Sequence, residues 1–469
     1  MTDTLIWKAF ISLNKSEIKL FKQFLLSPFF NHRNDVVALA LYFQSCLSKK
    51  DCIPDKKIAY QQMYPNTEYD DHKQRQACTF LLDLLEQFWA IDQLKNNETK
   101  IKTLVLEQYR KRHLEKHFQR TLIETKQLIE QQKYRSAELH FQQSDVLLEE
   151  YRFNVSEKRF SDANLQAISN QFDYGYFAVK LRQASANISQ QAIYRSDYQI
   201  NMITQIIQQI EENELQEVTA VGLYYYTFRC LSNPENEEYF FDLRKNLSEK
   251  GHLFPIDEIR DLYLLAINYC IKKHNEGHDK FLKAELELYE EGLNLKYLYI
   301  DGYLSRFTYR NVVTLALTLK EYEWVAKFIE QFKDDIELIY REGNYNYCRA
   351  RLAYEQKEYN IIFELLQQAD YEDILISLAS KALLLKVLFE TQAYDTLEAH
   401  LDAMRSYIRR KSSIIGYHQD NYLNLIKFSK RLLKFQHDKK ELKLLYDEIV
   451  ASKMFAERKW LLEWVQEAL

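Results

Sequence analysis

The chain has 469 residues, of which 46% are hydrophobic and 28% charged, and a formal charge of −5. That composition excludes a disordered polymer, and so small a net charge argues against a protein built mainly to grip nucleic acid. Only 8 glycines and 5 prolines leave too few breaks for a β-rich or loop-rich fold, so an all-α chain is expected.

Residues 1–97 read as a small N-terminal helical module. Asn14 followed by Glu17 forms a capping-box signature ahead of Ile18, Phe21, Phe24 and Leu25. Ser27-Pro28 should stop that helix, because the residue before proline is pushed out of the α region. Asp35 is expected to open a helix through Leu47, and Pro54-Asp55 a short one ending at Tyr64-Pro65. Asp70 or Asp71 should cap a long helix through Leu81, Leu85, Phe88 and Trp89.

Residues 98–215 predict long, charged helices that begin a repeat array, and residues 216–469 predict helical hairpins. Those hairpins are expected near 218–250, 256–292, 300–333, 344–369, 374–410, 416–436 and 441–468. Their breaks are read at Asn233-Pro234, Gly251 to Pro255, Gly277, Gly292, Gly343 and Gly416. Three stretches echo one another: Leu319-Lys320-Glu321-Tyr322, Gln356-Lys357-Glu358-Tyr359 and Thr391-Gln392-Ala393-Tyr394. A supersecondary unit recurring at 35–37 residues predicts stacked hairpins that bury their apolar faces on their neighbours. Helix 374–389 is apolar most of the way round and should be covered on both sides.

Tyr134, Ala137, Phe141 and Ser144 have the offsets of the second half of a tetratricopeptide repeat. With the post-turn tyrosines Tyr322, Tyr359 and Tyr394, they give residues 100–440 a resemblance to the tetratricopeptide-like helical repeat superfamily. Val325, Ile362 and Leu397 stand where the small crossing residue of that pattern would be, and Ala350 keeps the small residue of a first helix. The resemblance implies an α-solenoid that holds protein segments. Glu17 to Asn31, with Ser27-Pro28-Phe29-Phe30-Asn31, also resembles the start of a bacterial family that carries such repeats and has no assigned activity.

Signatures of chemistry are sparse. The glycines are too scattered for a phosphate-cradling loop, and neither a nucleophile elbow nor a zinc-protease helix occurs. Six cysteines (46, 52, 78, 230, 270 and 348) include no C-x-x-C pair, which fits reduced thiols. No export leader or membrane-length apolar run is read, so the cytoplasm is the expected location. His113 and His117 stand at i, i+4, but within a positive stretch that repels a divalent cation. Cys270, His274 and His278 form a better column, with Cys270 more simply a core thiol. Neither supports a metal or cofactor, and no catalytic residue is assigned.

Charge distribution singles out the C-terminal region. Between Arg405 and Lys443 lie eleven basic and three acidic residues, against five basic and twelve acidic over 205–261. Lys427, Lys430, Arg431 and Lys434 share one helical stripe, and Arg409, Arg410 and Lys411 form a second cluster. These are candidate partner-binding residues, to be weighed against a simple solvated face. Residues 100–135 carry ten basic and four acidic residues and raise the same question. Trp460 and Trp464 are expected either to seal the array or to form an interface.

The reading that follows is a non-enzymatic scaffold that binds a protein partner, an acidic segment first, along successive first helices. The rival is a nucleic-acid-binding regulator that uses N-terminal helices, with His72, Lys73, Gln74 and Arg75 at the start of one, and the basic stripe. A third reading, a metal-bearing helical enzyme, would rest on the Cys270 column.

Overall fold

The computed structural model describes residues 1–49, 53–157, 164–194, 198–367, 373–411, 418–452 and 455–469. Cys52 and Gly416 lie outside the described residues. Among these residues are 23 α-helices, three short 3-10 turns and one two-stranded ribbon, so the fold is all-α. The chain forms two compact units, Met1–Phe177 and Ala178–Leu469.

In the first unit, α1 (Leu5–Ile11), α2 (Lys15–Leu26), α3 (Asn34–Leu47), α4 (Lys56–Met63) and α5 (Asp71–Lys95) share one core. Phe10, Phe21, Val36, Leu39, Phe43, Leu81 and Leu85 are fully or almost fully buried in it. The Asn14 side chain accepts from the Ser16 and Glu17 amides, and Glu17 closes the box by accepting from the Asn14 amide at 2.7 Å. Asp55 and Asp70 cap α4 and α5. Asp35 does not cap α3. It sits inside the first turn, where it pairs with Arg33 at 2.6 Å and accepts from Tyr64.

A second core in this unit joins α6 (Glu98–Lys111), α7 (Glu115–Gln131) and α8 (Ala137–Glu157), with Phe118 stacked on Phe153 at 4.0 Å. His113 lies in the α6–α7 turn in the left-handed region (φ 54°), so it and His117 are not successive turns of one helix. Helix α9 (Leu165–Tyr194) runs across the boundary between the units.

The second unit opens with α10 (Ile203–Glu212), α11 (Thr219–Ser232), α12 (Glu238–Lys250), α13 (Ile256–Asn275) and α14 (Lys280–Asn294). It continues with α15 (Arg306–Thr318), α16 (Tyr322–Phe332), α17 (Leu338–Glu355), α18 (Tyr359–Gln367), α19 (Ile374–Glu390) and α20 (Tyr394–Arg410). The last three helices are α21 (His418–Phe435), α22 (Lys439–Ala451) and α23 (Arg458–Ala468). The pairs α11–α12, α13–α14, α15–α16, α17–α18 and α19–α20 each pack together. First helices also touch the next first helix, α11 on α13, α15 on α17 and α17 on α19. Helix α19 buries ten residues and is enclosed by α17, α18 and α20.

The three tyrosine-marked turns share one backbone design. Lys320, Lys357 and Gln392 each adopt a left-handed conformation (φ 61°, 61° and 56°). Each following amide reaches back five residues, to the Ala316, Ala353 and Leu388 carbonyls, which closes a Schellman cap. The marker tyrosine then stands at the first position of the next helix.

Several predicted boundaries move. Gly343 lies inside α17, which begins at Leu338, and is not a break. Gly292 lies inside α14, where an added Cβ would meet Leu298 Cγ at 2.9 Å, so close packing sets that glycine. Residue 300 belongs to a ribbon, β1 (Tyr299–Ile300) paired with β2 (Tyr303–Leu304). The segment 418–435 is one helix rather than a hairpin.

Candidate functional site

Two neighbouring carboxylates, Glu448 and Asp402, offset about half of the charge of the basic stripe on α21. Lys427 reaches Glu448 of α22 at 2.7 Å, and Arg431 takes the same carboxylate. Lys430 bonds Asp402 of α20. Hydrogen bonds from Lys427 and Arg431 hold the Glu448 carboxyl below its ordinary range, and Lys430 does the same for Asp402. Lys434 lies over the Phe435 ring at 5.2 Å. Arg409, Arg410 and Lys411 are exposed at the C-terminal end of α20, where cations complement the helix dipole.

The positive stretch over residues 100–135 is similarly paired: Lys100 with Asp145, Lys102 with Glu124, Arg110 with Glu149 and Lys126 with Glu150. At the start of α5, Gln74 is buried, while His72, Lys73 and Arg75 are exposed, with Arg75 paired to Asp71 at 3.0 Å.

Trp460 and Trp464 of α23 pack edge-on against Phe389 of α19, at 5.5 and 5.0 Å. Trp460 is buried, and its Nε1 donates to Glu390 Oε1 at 3.0 Å. The same carboxylate accepts the hydroxyls of Tyr354 and Tyr359.

Cys270 is buried in α13, and burial raises its thiol strongly. Burial pushes the Cys230 and Cys348 thiols up to about 12. His274 Nδ1 lies 3.5 Å from Asp279, while Gly277 (φ 96°) ends the helix and leaves His278 beyond it. Among the described residues no group of three or more His, Cys, Asp or Glu side chains could hold a metal ion.

A different constellation lies across α15, α17, α19 and α21, and inspection of charge runs missed it. Arg351 of α17 donates through Nη1 to Thr314 Oγ1 of α15 at 2.7 Å. Arg310 lies one turn before Thr314 on α15, with its guanidinium 5.1 Å from the Phe307 ring centre. Tyr347 lies one turn before Arg351. Burial pushes its phenol up, against the pull of Arg351 and Arg310. Tyr422 of α21 is raised by burial and then by Tyr347 and Glu457, with Arg310 again opposing. Helices far apart in sequence therefore place these groups within electrostatic reach of one another. Lys386 of α19 pairs with Glu457 at 3.0 Å and lies 4.4 Å from the centre of the Tyr354 ring. Among the described residues, no ion pair joins Arg310 or Arg351 to an acid. The signal was two i, i+4 pairs, Arg310/Thr314 and Tyr347/Arg351, on helices that only the repeat register brings together.

Comparison of the chain with protein-family models, with curated proteins and with solved structures found no match.

Proposed function

We propose that the second unit is a tetratricopeptide-like α-solenoid and that the protein is a non-enzymatic scaffold, holding segments of other proteins along its first helices. The observation that carries this reading is the paired packing. Each second helix backs its own first helix, while first helices lie directly on the next first helix from α15 through α17 to α19. A row of helices backed from one side leaves its other side for a partner. Arg310, Arg351 and Tyr347 stand half-buried in that row, with Tyr422 half-buried on α21. The Cys230 and Cys348 thiols are buried and held protonated, so neither is poised as a nucleophile.

The test is photo-crosslinking in the native cell, with the crosslinker placed in turn on α15, α17 and α19 and on the second helices α16 and α18. Discrete protein adducts from the first-helix positions are expected. Adducts confined to the second helices, or none at any position, would overturn the reading. Tight binding of random DNA at low salt, lost steeply as salt is added, would replace it with the nucleic-acid reading.

A further inference from the structure

We infer that Arg310 and Arg351 form a carboxylate-binding site for an acidic segment of a partner protein; this rests on the scaffold reading above. The two guanidiniums belong to adjacent first helices that pack directly on one another, and the 2.7 Å bond from Arg351 to Thr314 joins them. Burial opposes the charge at Arg351, but nearby Tyr347 and Glu457 more than offset it and keep the guanidinium firmly charged. With no ion-pair partner among the described residues, its remaining donors are open to a ligand's carboxylate. The planar fork of an arginine fits a carboxylate through two parallel hydrogen bonds. Nearby, Tyr347 and Tyr422 are half-buried, offering hydroxyl donors and ring faces to the side chains that flank an acid.

Two observations favour a protein segment over a nucleic acid. The neighbouring cations are already used, Arg306 by Asp373 and Lys386 by Glu457, so the free charge is confined to two groups. Nucleic-acid binding draws on a longer run of phosphate contacts. The chain also places its own carboxylate at this spot. Glu457, held in the left-handed region at φ 55°, acts on Tyr347, Arg351 and Tyr422 while bonding Lys386. Glu457 is held by Lys386 and repels a long run of phosphates more than a single side-chain acid, so the two guanidiniums suit a short acidic segment better than a nucleic-acid strand.

The test uses the full chain and a fluorescein-labelled poly-glutamate peptide at low salt, followed by polarisation. Wild type should bind it and ignore a poly-glutamine peptide of equal length. The Arg310→Ala/Arg351→Ala double variant should bind at least about tenfold more weakly. Arg351→Lys, which keeps the charge and loses the fork, should fall between them. Lys439→Ala/Lys440→Ala, on the exposed start of α22, should match wild type. Hydrogen exchange on the wild-type protein keeps the question answerable if the double variant misfolds: peptide should slow exchange in α15 and α17. Equal binding by wild type and the double variant, or exchange protection only elsewhere, would overturn the site. So would competition by inorganic phosphate or a single-stranded oligonucleotide at concentrations below those of the peptide. Retention of the cellular crosslinks by the double variant would remove this site and leave the scaffold reading standing. Loss of all first-helix crosslinks from wild type would remove the scaffold reading itself.

Discussion

Tyrosine hydroxyls in the second unit repeatedly end on carboxylates of a neighbouring helix or turn. Tyr224 donates to Glu258, Tyr225 to Glu211 and Tyr345 to Glu330, each at 2.6 Å. The 34 tyrosines thus do more than fill space between helices, because each such phenol also ties a carboxylate on a neighbouring element. Glu390 is the densest case, with Tyr354, Tyr359 and Trp460 all donating to it. Glu390→Ala strands three donors and should cost about 2 kcal/mol of stability by urea unfolding; an unchanged midpoint would contradict that. Glu285 shows the opposite situation. It is buried, and desolvation lifts its carboxyl from 4.5 to about 7. A folded pKa above the unfolded one means its contribution is complete below pH 4.5 and is lost as pH rises through about 7. Glu285→Gln should therefore gain about 2 kcal/mol over wild type above pH 7 and flatten the pH dependence. Unfolding curves of the two proteins at acidic and mildly basic pH read this directly.

At the scale of elements, the connections carry the architecture. Lys320, Lys357 and Gln392 occupy a backbone region that glycine enters without steric cost and other residues enter at about 1 kcal/mol. Replacing each with glycine should raise the melting temperature, with a net gain of about 0.5 kcal/mol per site after the added freedom of the unfolded chain is counted. A loss at all three would mean that the native side chains make compensating contacts. These turns were legible because the tyrosine and the residues before it recur, and the caps at Asn14, Asp55 and Asp70 were legible because capping is local chemistry. The start of α17 was not. Gly343 looked like a break, yet a single glycine costs a helix only about 1 kcal/mol, which tertiary packing overrides. The ribbon at 299–304 carried its own signal, overlooked beside the helical period. Asp301 and Gly302 both have positive φ (50° and 84°), the requirement of a tight two-residue hairpin turn.

For the whole molecule, a run of charge along one helix says nothing of the acids on the next. The stripe of Lys427, Lys430 and Arg431 reads as a free positive surface only until Glu448 and Asp402 are brought beside it. Arg310 and Arg351 were invisible for the converse reason: neither belongs to a long basic run, and only the packing of α15 on α17 brings them together. Helix α23 covers the apolar end formed by α19, α21 and α22, with Leu461 and Val465 fully buried and Trp460 nearly so. Trp460→Ala should lower stability by about 3 kcal/mol and promote aggregation on heating, as light scattering would show. A stable, monodisperse variant would mean that the end is sealed by other residues. Because α23 leaves the ribosome after every helix it covers, a growing chain passes through a stage in which that greasy end is complete but bare. Premature stops just upstream of residue 458 should therefore yield proteins that demand chaperones or clump, even though Arg310 and Arg351 are still present.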